Sequence, residues 1–432
     1  MSSFEVVHHQ EITGKLTCLD RVILKGHMTR LYPDGAFKAF LSSQGVLLKD
    51  VGPYLVRQTA VVRDHVKAMA EEAGRPYIYL GQTHTKARGN SKEDTAKEIA
   101  RRDGVEDGLI CVLGAVEACM SFELNRNKEN KVLEMRRRQR KCTHFYLYYL
   151  DHDLGLFHIR LQSWFPFEVQ VWLNGHQALA RRLDQAGIAY ACHENAFCRI
   201  DDWARAQALA DGLAKRDWAK LLDALAKKVN PLLAVIEAAG FGGYYWVADQ
   251  VEVSTDVAFS SRPVLEELLP HLFAHASSAL SAEDVLRFLG RKLHPALAAE
   301  VLTDARRRPE GWRVKHRMGR NSVKVYDKAN VLRVETTIND ASEFRALRVR
   351  DGRRDWLPMR KGVADFPRHY QVGAGANTRY LEALAHATNN GEGLRALDAL
   401  CRPRTRQGRR VSRFNPLAMT DVMLFRALLA GE

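Results

Sequence analysis

The chain has 432 residues, 46% of them apolar and 27% charged, the mix of an ordinary globular protein and not of a collagen-like, disordered or disulfide-framework chain. Its 65 Lys and Arg exceed its 51 Asp and Glu by 14, which points to a polyanionic partner, either nucleic acid or an acidic membrane surface. The longest strongly apolar stretch, Gly108 to Val116, is far short of the roughly 20 residues a bilayer demands, so no membrane partner is expected and nucleic acid leads.

Met1 to Glu5 has no basic segment leading into an apolar one, so no signal peptide is expected. The 7 cysteines are odd in number and never spaced Cys-x-x-Cys, which predicts a reduced, cytoplasmic protein. At about 150 residues per domain the length suggests two or three domains. The predicted class is α/β (α+β), with mixed or antiparallel sheets under helical cover. The predicted units are an N-terminal α/β module over 1–142, a β-meander followed by helices over 143–242, an α+β domain over 243–400, and a basic linker with a C-terminal helix over 401–432.

In chain order, Asp20 precedes a short strand at Arg21 to Leu24, and a helix from Tyr54 to Ala73 is closed by Gly74 and Pro76. Tyr77 to Leu80 reads as a strand and Lys92 to Arg102 as a helix with Ser91 as its N-cap. Ile110 to Leu113 and Met120 to Leu124 read as two strands. Arg136, Arg137, Arg138, Arg140 and Lys141 form a charge run, either a solvated edge or a phosphate-contact strip. A meander follows at Thr143 to Asp151, Leu156 to Gln162 and Phe167 to Asn174, and a period of two puts His158, Arg160 and Gln162 on one side. Helices are predicted at Gln177 to Gln185, Asp202 to Leu213, and Trp218 to about Ala239 around Pro231.

Tyr244 to Phe259 is predicted as one long strand or two linked ones. Three helices come next: Pro263 to Ala276, a short one with a capping-box start at Ser281, and His294 to Arg308. Two of these around Gly290 admit a helix-turn-helix, though ordinary packing is the simpler reading. The clearest hairpin joins Ser322 to Tyr326 with Val331 to Ile338 through Asp327-Lys328-Ala329-Asn330. From Cys401 to Arg410 the chain is a basic linker, and Pro416 to Leu429 a final helix. No internal repeat is evident.

Asp249, Glu252 and Asp256 lie among apolar and aromatic residues of the Tyr244 to Phe259 segment. Carboxylates placed so either face water or hold a divalent cation, Mg2+ or Mn2+, of the kind that offsets charge in phosphodiester chemistry. The Lys324-Val325-Tyr326-Asp327-Lys328 … Leu332-Arg333-Val334-Glu335 hairpin offers a phenol, three cations and two acids within reach of one another. A tyrosine can attack a phosphodiester once a base, cation or metal helps it ionise. A surface salt bridge with Tyr326 as packing is the alternative. Asp20, Glu117 and Asp249 form another candidate acidic cluster, of the ribonuclease-H kind, and Cys192, His193 and Cys198 could ligate zinc only with a distant partner.

The pattern Lys-x-Tyr-Asp-Lys, turn, Leu-Arg-Val-Glu resembles the hairpin of rolling-circle replication initiators of plasmids and filamentous phages, and Thr255-Asp256-Val257-Ala258-Phe259 is similar to their acidic strand. The likeness covers about 244–340. It implies Asp256 and Glu335 as metal ligands, Lys328 and Arg333 as phosphate contacts, and Tyr326 as nucleophile, with Tyr370 and Tyr380 as rivals. The His-x-His motif of many such enzymes is absent. The whole chain also resembles an uncharacterised bacterial mobile-element-associated family, through His158-Ile159-Arg160-Leu161-Gln162-Ser163-Trp164-Phe165-Pro166-Phe167, Ala282-Glu283-Asp284-Val285-Leu286 and Lys315-His316-Arg317-Met318. That resemblance implies a winged-helix-like tail, which would lie beyond Glu432.

The expected function is therefore a mobile-element protein that cuts or transfers single DNA strands, of rolling-circle type. In this reading Tyr326, Glu335 and Asp256 are catalytic, and Asp249, Asp256 and Glu335 hold Mg2+ or Mn2+. Lys324, Lys328, Arg333, Arg136, Arg137, Arg138, Arg140, His158, Arg160 and the Arg402 to Arg413 strip contact nucleic acid. The alternatives are a non-catalytic DNA- or RNA-binding protein and a ribonuclease-H-like nuclease or transposase. Nothing in the sequence fixes the oligomeric state.

Overall fold

The computed structural model describes residues 3–33, 35–81, 92–127, 132–291, 300–308 and 311–387, with 404–406, 409–411, 421 and 423 beyond them. The protein is a mixed α/β structure built on one 11-stranded sheet. Among the described residues no helix is long and apolar enough to cross a membrane.

The first half begins with β1 (Ile12–His27), then α1 (Ala36–Ser43) and α2 (Val51–Glu72), the parallel edge strand β2 (Tyr77–Gly81) and α3 (Lys92–Arg102). A meander follows: β3 (Gly108–Asn127), β4 (Val132–Asp151), β5 (Gly155–Gln162) and β6 (Val169–Asn174). The connecting segment holds α4 (Gly175–Gln185), a small hairpin of β7 (Tyr190–His193) and β8 (Ala196–Ile200), α5 (Trp203–Ala214), α6 (Trp218–Val229) and α7 (Leu233–Ala238). The second half has β9 (Tyr245–Phe259), α8 (Arg262–Ala274), α9 (Ala282–Phe288) and a second meander, β10 (Val301–Arg308), β11 (Gly311–Met318), β12 (Asn321–Lys328) and β13 (Val331–Ile338). A separate ribbon, β14 (Arg345–Arg350) with β15 (Arg353–Pro358), precedes α10 (Phe366–Leu384).

Strand order is β10-β11-β12-β13-β9-β1-β6-β5-β4-β3-β2. In each half one long strand is followed by a four-stranded meander whose last member returns beside the first, and the two long strands pair antiparallel at the centre. The fold therefore repeats its topology where the sequence carries no evident repeat. The sheet also runs through three of the four expected units, and the 142/143 boundary falls inside β4.

Alternation along the strands separates two faces. One carries Val22, Leu24, Val251, Val253, Ile159, Val171, Val323, Val325 and Val334, buried under α1, α2, α6, α8, α9 and α10. The other carries polar rows in the second half and is covered locally by α3 over Tyr146 and Tyr148, and by α4, α5 and β8 over Leu16 and Cys18. Where β1 has no second strand beside it, Gln207 of α5 substitutes: its Oε1 accepts from the Thr17 amide at 2.8 Å and its Nε2 donates to the Thr17 carbonyl at 2.9 Å.

Local chemistry explains most departures from expectation. The expected Trp218 to Ala239 helix is two, α6 and α7, because Pro231 offers no amide to continue the first. The two strands expected at 110–124 are one 20-residue strand, β3, and the 136–141 charge run lies inside its partner β4 rather than in a loop. Residues 301–308 form a strand rather than the end of the expected His294 to Arg308 helix, whose beginning lies outside the described residues, as does the helix-turn-helix reading. The Ser281 capping box is present, with reciprocal bonds to Asp284. Of the predicted final helix only Asp421 and Met423 lie within the described residues, and in the expected linker Arg404–Arg406 and Arg409–Val411 pair antiparallel.

Candidate functional site

The polar face of the second half is ordered by strand register. Lys315, Lys324, Glu335 and Ser254 form one cross-strand row, and Arg313, Tyr326, Arg333 and Asp256 form the next. A β-bulge in β1 adds an acid. Leu19 pairs with Val253 and Val22 with Val251, so Asp20 and Arg21 together oppose the single residue Glu252. Bulges of this kind re-aim a side chain, and this one directs Asp20 at the β9 acids.

Asp20, Glu252 and Glu335 each offer a carboxylate oxygen, all within 4.8 Å of one another. Glu335 is 1% exposed; its Oε1 lies 2.6 Å from Lys324 Nζ, and its Oε2 accepts from Tyr326 Oη at 2.6 Å. Burial and the neighbouring Glu335 push the Glu252 carboxyl up to about 7. Burial opposes ionisation of Asp20 too, but His176 and Arg333 outweigh it and hold that carboxyl well below the usual range. Burial and Glu335 raise the Tyr326 phenol well above its ordinary value. Beside Lys324 and Tyr326 opens a pocket of about 410 Å3, also lined by Glu194, Trp312, Arg313 and Lys328.

Beneath the cluster lies a buried ionic network. Arg333, 0% exposed, grips Asp256 with two bonds, Nε to Oδ1 at 2.5 Å and Nη2 to Oδ2 at 2.7 Å. Its Nη2 also donates to the Asn195 carbonyl at 2.9 Å and approaches His176 Nε2 at 3.0 Å. The other ring nitrogen of His176, Nδ1, lies 3.3 Å from Asp20 Oδ1, so the imidazole bridges the Arg333–Asp256 pair and the acid of the bulge. Burial disfavours the Asp256 carboxylate and Arg333 more than compensates, keeping it below the usual range. Gly175 makes this approach possible: a Cβ there would stand 2.2 Å from the Leu19 carbonyl oxygen, so only glycine lets α4 press onto β1 and deliver His176.

Several expected roles change accordingly. Asp256 is engaged by Arg333, and Asp249 pairs with Lys25 at 2.8 Å, so the acids that converge with Glu335 are Asp20 and Glu252 rather than Asp249 and Asp256. Arg333 is spent inside the protein and cannot meet a phosphate without stranding Asp256. Lys328 donates to Glu194 and Asn195, both at 2.7 Å. Tyr370 bonds the Thr17 carbonyl and Asp211, while Tyr380, 0% exposed, lies 2.9 Å from His316; neither joins the acids. Asp20, Glu117 and Asp249 do not assemble, and no zinc-like group forms around Cys192, His193 and Cys198 among the described residues.

In the first half, Glu117 receives Lys92 at 2.5 Å, Tyr146 Oη at 2.7 Å and Arg160 at 3.1 Å, and these partners hold it at about 2 against the effect of burial. His158 stacks on Trp172 with centroids 5.4 Å apart, and burial lowers it to about 3, so it stays neutral and enclosed. Arg136 and Arg138 are exposed and paired with Glu134 and Glu123, Arg137 is exposed, and Arg140 lies over Trp164 at 5.5 Å. The strip therefore remains at the surface, whereas His158 is half-buried in the aromatic stack.

His176 and Asn195 drew no expectation from the sequence, and Asp20 was grouped with Glu117 and Asp249 rather than with Glu252 and Glu335. An acid inside the apolar run Leu19-Asp20-Arg21-Val22-Ile23-Leu24 is the one signal the sequence carries for Asp20. No protein-family model, curated protein or solved structure matches the chain.

Proposed function

We propose that the protein is a DNA-handling enzyme that cuts or transfers single strands with a divalent cation, Mg2+ or Mn2+, held by Asp20, Glu252 and Glu335. One observation carries the reading: three buried carboxylates meet within 4.8 Å, beside a lysine and a phenol at the mouth of a pocket. Buried acids placed so close repel one another unless a proton or a cation sits among them. When bound, the cation supplies charge stabilisation to a reacting phosphodiester.

The chain's own residues divide the remaining work. Lys324, Lys315 and Arg313 line the approach and attract phosphate oxygens. Tyr326 Oη attacks phosphorus; the oxygen of the departing strand leaves with the bonding pair, and a phosphotyrosine remains. Glu335, already accepting the phenol's hydrogen bond, takes its proton. The Arg333–Asp256 pair and His176 position Asp20. A cytoplasmic setting belongs to the same reading, as does the basic strip on β4 as a strand contact.

The rival reading, a non-catalytic nucleic-acid binder, draws on the raised affinity of Tyr326 for its proton. Incubating the protein with single-stranded DNA and Mn2+ separates the two. Cutting that is lost in Glu335→Gln, with a covalent protein–DNA adduct lost in Tyr326→Phe, supports the enzyme. Binding without any cutting supports the rival, and cutting that survives both substitutions removes the site.

A further inference from the structure

The ribbon of β14 and β15 belongs to neither half of the large sheet. Residues 345–360 carry six arginines (345, 348, 350, 353, 354 and 360) against Asp351 and Asp355, a strong local excess of positive charge. Its tip turns through Asp351 and Gly352, both at positive φ, 51° and 75°, the conformation that joins two strands in a tight hairpin.

The two faces differ sharply. Toward the protein, Ala346 is 5% exposed and Arg348 pairs with Asp365, while Phe344 and Met359 plug the base into the core and are bonded to each other. Outward stand Leu347, Val349 and Trp356, at 42%, 70% and 61% exposure, with Leu347 directly opposite Trp356 and Val349 opposite Arg354. Arg345 and Arg354 share that outward face with them, both exposed.

An apolar ridge left in water is unfavourable unless something covers it. Here arginines on both sides fix the sign of the cover: the partner is a polyanion with apolar surface inside its line of charge. We propose that the β14–β15 ribbon is a docking element for duplex DNA, entering a groove with Trp356 and Leu347 toward the groove floor and Arg345 and Arg354, on the same face, on the phosphates. A two-stranded ribbon is one of the two elements that fit the major groove of about 12 Å. Strands of six residues span about 20 Å, close to half a turn of the duplex. This assignment rests on the nucleic-acid reading above but not on the cation site. It gives the protein a second contact, on duplex flanking the strand presented to the acids.

Binding of the full chain to a fluorescent 20-base-pair duplex and to a single strand of equal length, across a salt series, tests it. The prediction is that Arg345→Ala/Arg354→Ala weakens duplex binding and lowers the slope of log affinity against log salt by about two. Trp356→Ala weakens it by about fivefold to tenfold. Single-strand binding changes by less than about twofold. Because these side chains are exposed, the variants keep the wild-type melting temperature. Unaltered duplex binding in both ribbon variants overturns the ribbon's role and leaves the nucleic-acid reading standing. Equal losses on duplex and single strand overturn the duplex assignment. A wild-type chain that binds neither overturns both readings.

Discussion

The two halves of the sheet share a topology and differ in what they carry on the same face. In the first, the row across β4, β5 and β6 is Tyr148, His158 and Trp172, an aromatic stack under α3. In the second, the corresponding row across β11, β12 and β13 is Lys315, Lys324 and Glu335, and Lys324 lines a pocket. The difference lies in the cover. In the first half α3 lays Ala96 and Ile99 over the aromatic rings. In the second half α4 and the β7–β8 hairpin bring His176 and Asn195 instead, and under that polar cover Arg333 and the acids of β9, β13 and the β1 bulge stay buried by pairing with one another. The strand order supplies two equivalent platforms, and the cover decides which one bears charge chemistry.

Breaking the charged half has the larger consequences. Glu335→Gln keeps the shape and removes the shared charge; strand cutting in Mn2+ should fall by about a thousandfold, read from single-turnover assays. Arg333→Met leaves Asp256 buried at 0% exposure with no guanidinium, and denaturant titration should find a loss of about 3–5 kcal/mol.

A milder probe is pH. The Glu252 carboxyl, raised to about 7, favours the protonated folded state, so its contribution to stability is present below the ordinary carboxylate range and lost as pH rises through about 7. Metal-free Glu252→Gln should therefore gain about 1–3 kcal/mol over the wild type at pH 8 and little at pH 5. Cation binding runs the other way: Mn2+ affinity of the wild type should drop as pH falls through 7.

Perturbing the aromatic half should matter least. Trp172→Phe loosens the stack on His158, costing about 1 kcal/mol, and should leave cutting within about twofold of the wild type. A loss of cutting there comparable to that in Glu335→Gln would mean that both platforms are active, and the comparison would fail.

How much of this was legible beforehand follows from the range of the interactions. The Ser322 to Ile338 hairpin, the long β9 strand and the Lys92 to Arg102 helix are local patterns, and all are present at nearly the expected bounds. The class, mixed α/β, was legible from the alternation of such segments. Local too was the convergence of Lys324, Tyr326 and Glu335, which needs only a hairpin's register. The choice among acids was not. Asp256 looked like a metal-site residue because nothing in its neighbourhood of sequence shows that Arg333, 77 positions on, would take both its oxygens. Asp20 needed a bulge that depends on pairing across 230 residues. The repeated topology was hidden because the equivalent rows hold aromatic rings in one half and charges in the other, leaving no shared letters to detect. The β14–β15 ribbon drew no assignment because its short strands interleave arginine with apolar residues.

The central claim is that Asp20, Glu252 and Glu335 make one cation site. Calorimetric titration of the metal-free protein with Mn2+ at pH 8 tests it most directly. The account predicts one ion per chain, with affinity reduced at least tenfold in Asp20→Asn, Glu252→Gln and Glu335→Gln and unaltered in Asp249→Asn. A folded wild-type chain that takes up no Mn2+, or three variants that bind it as the wild type does, would contradict it.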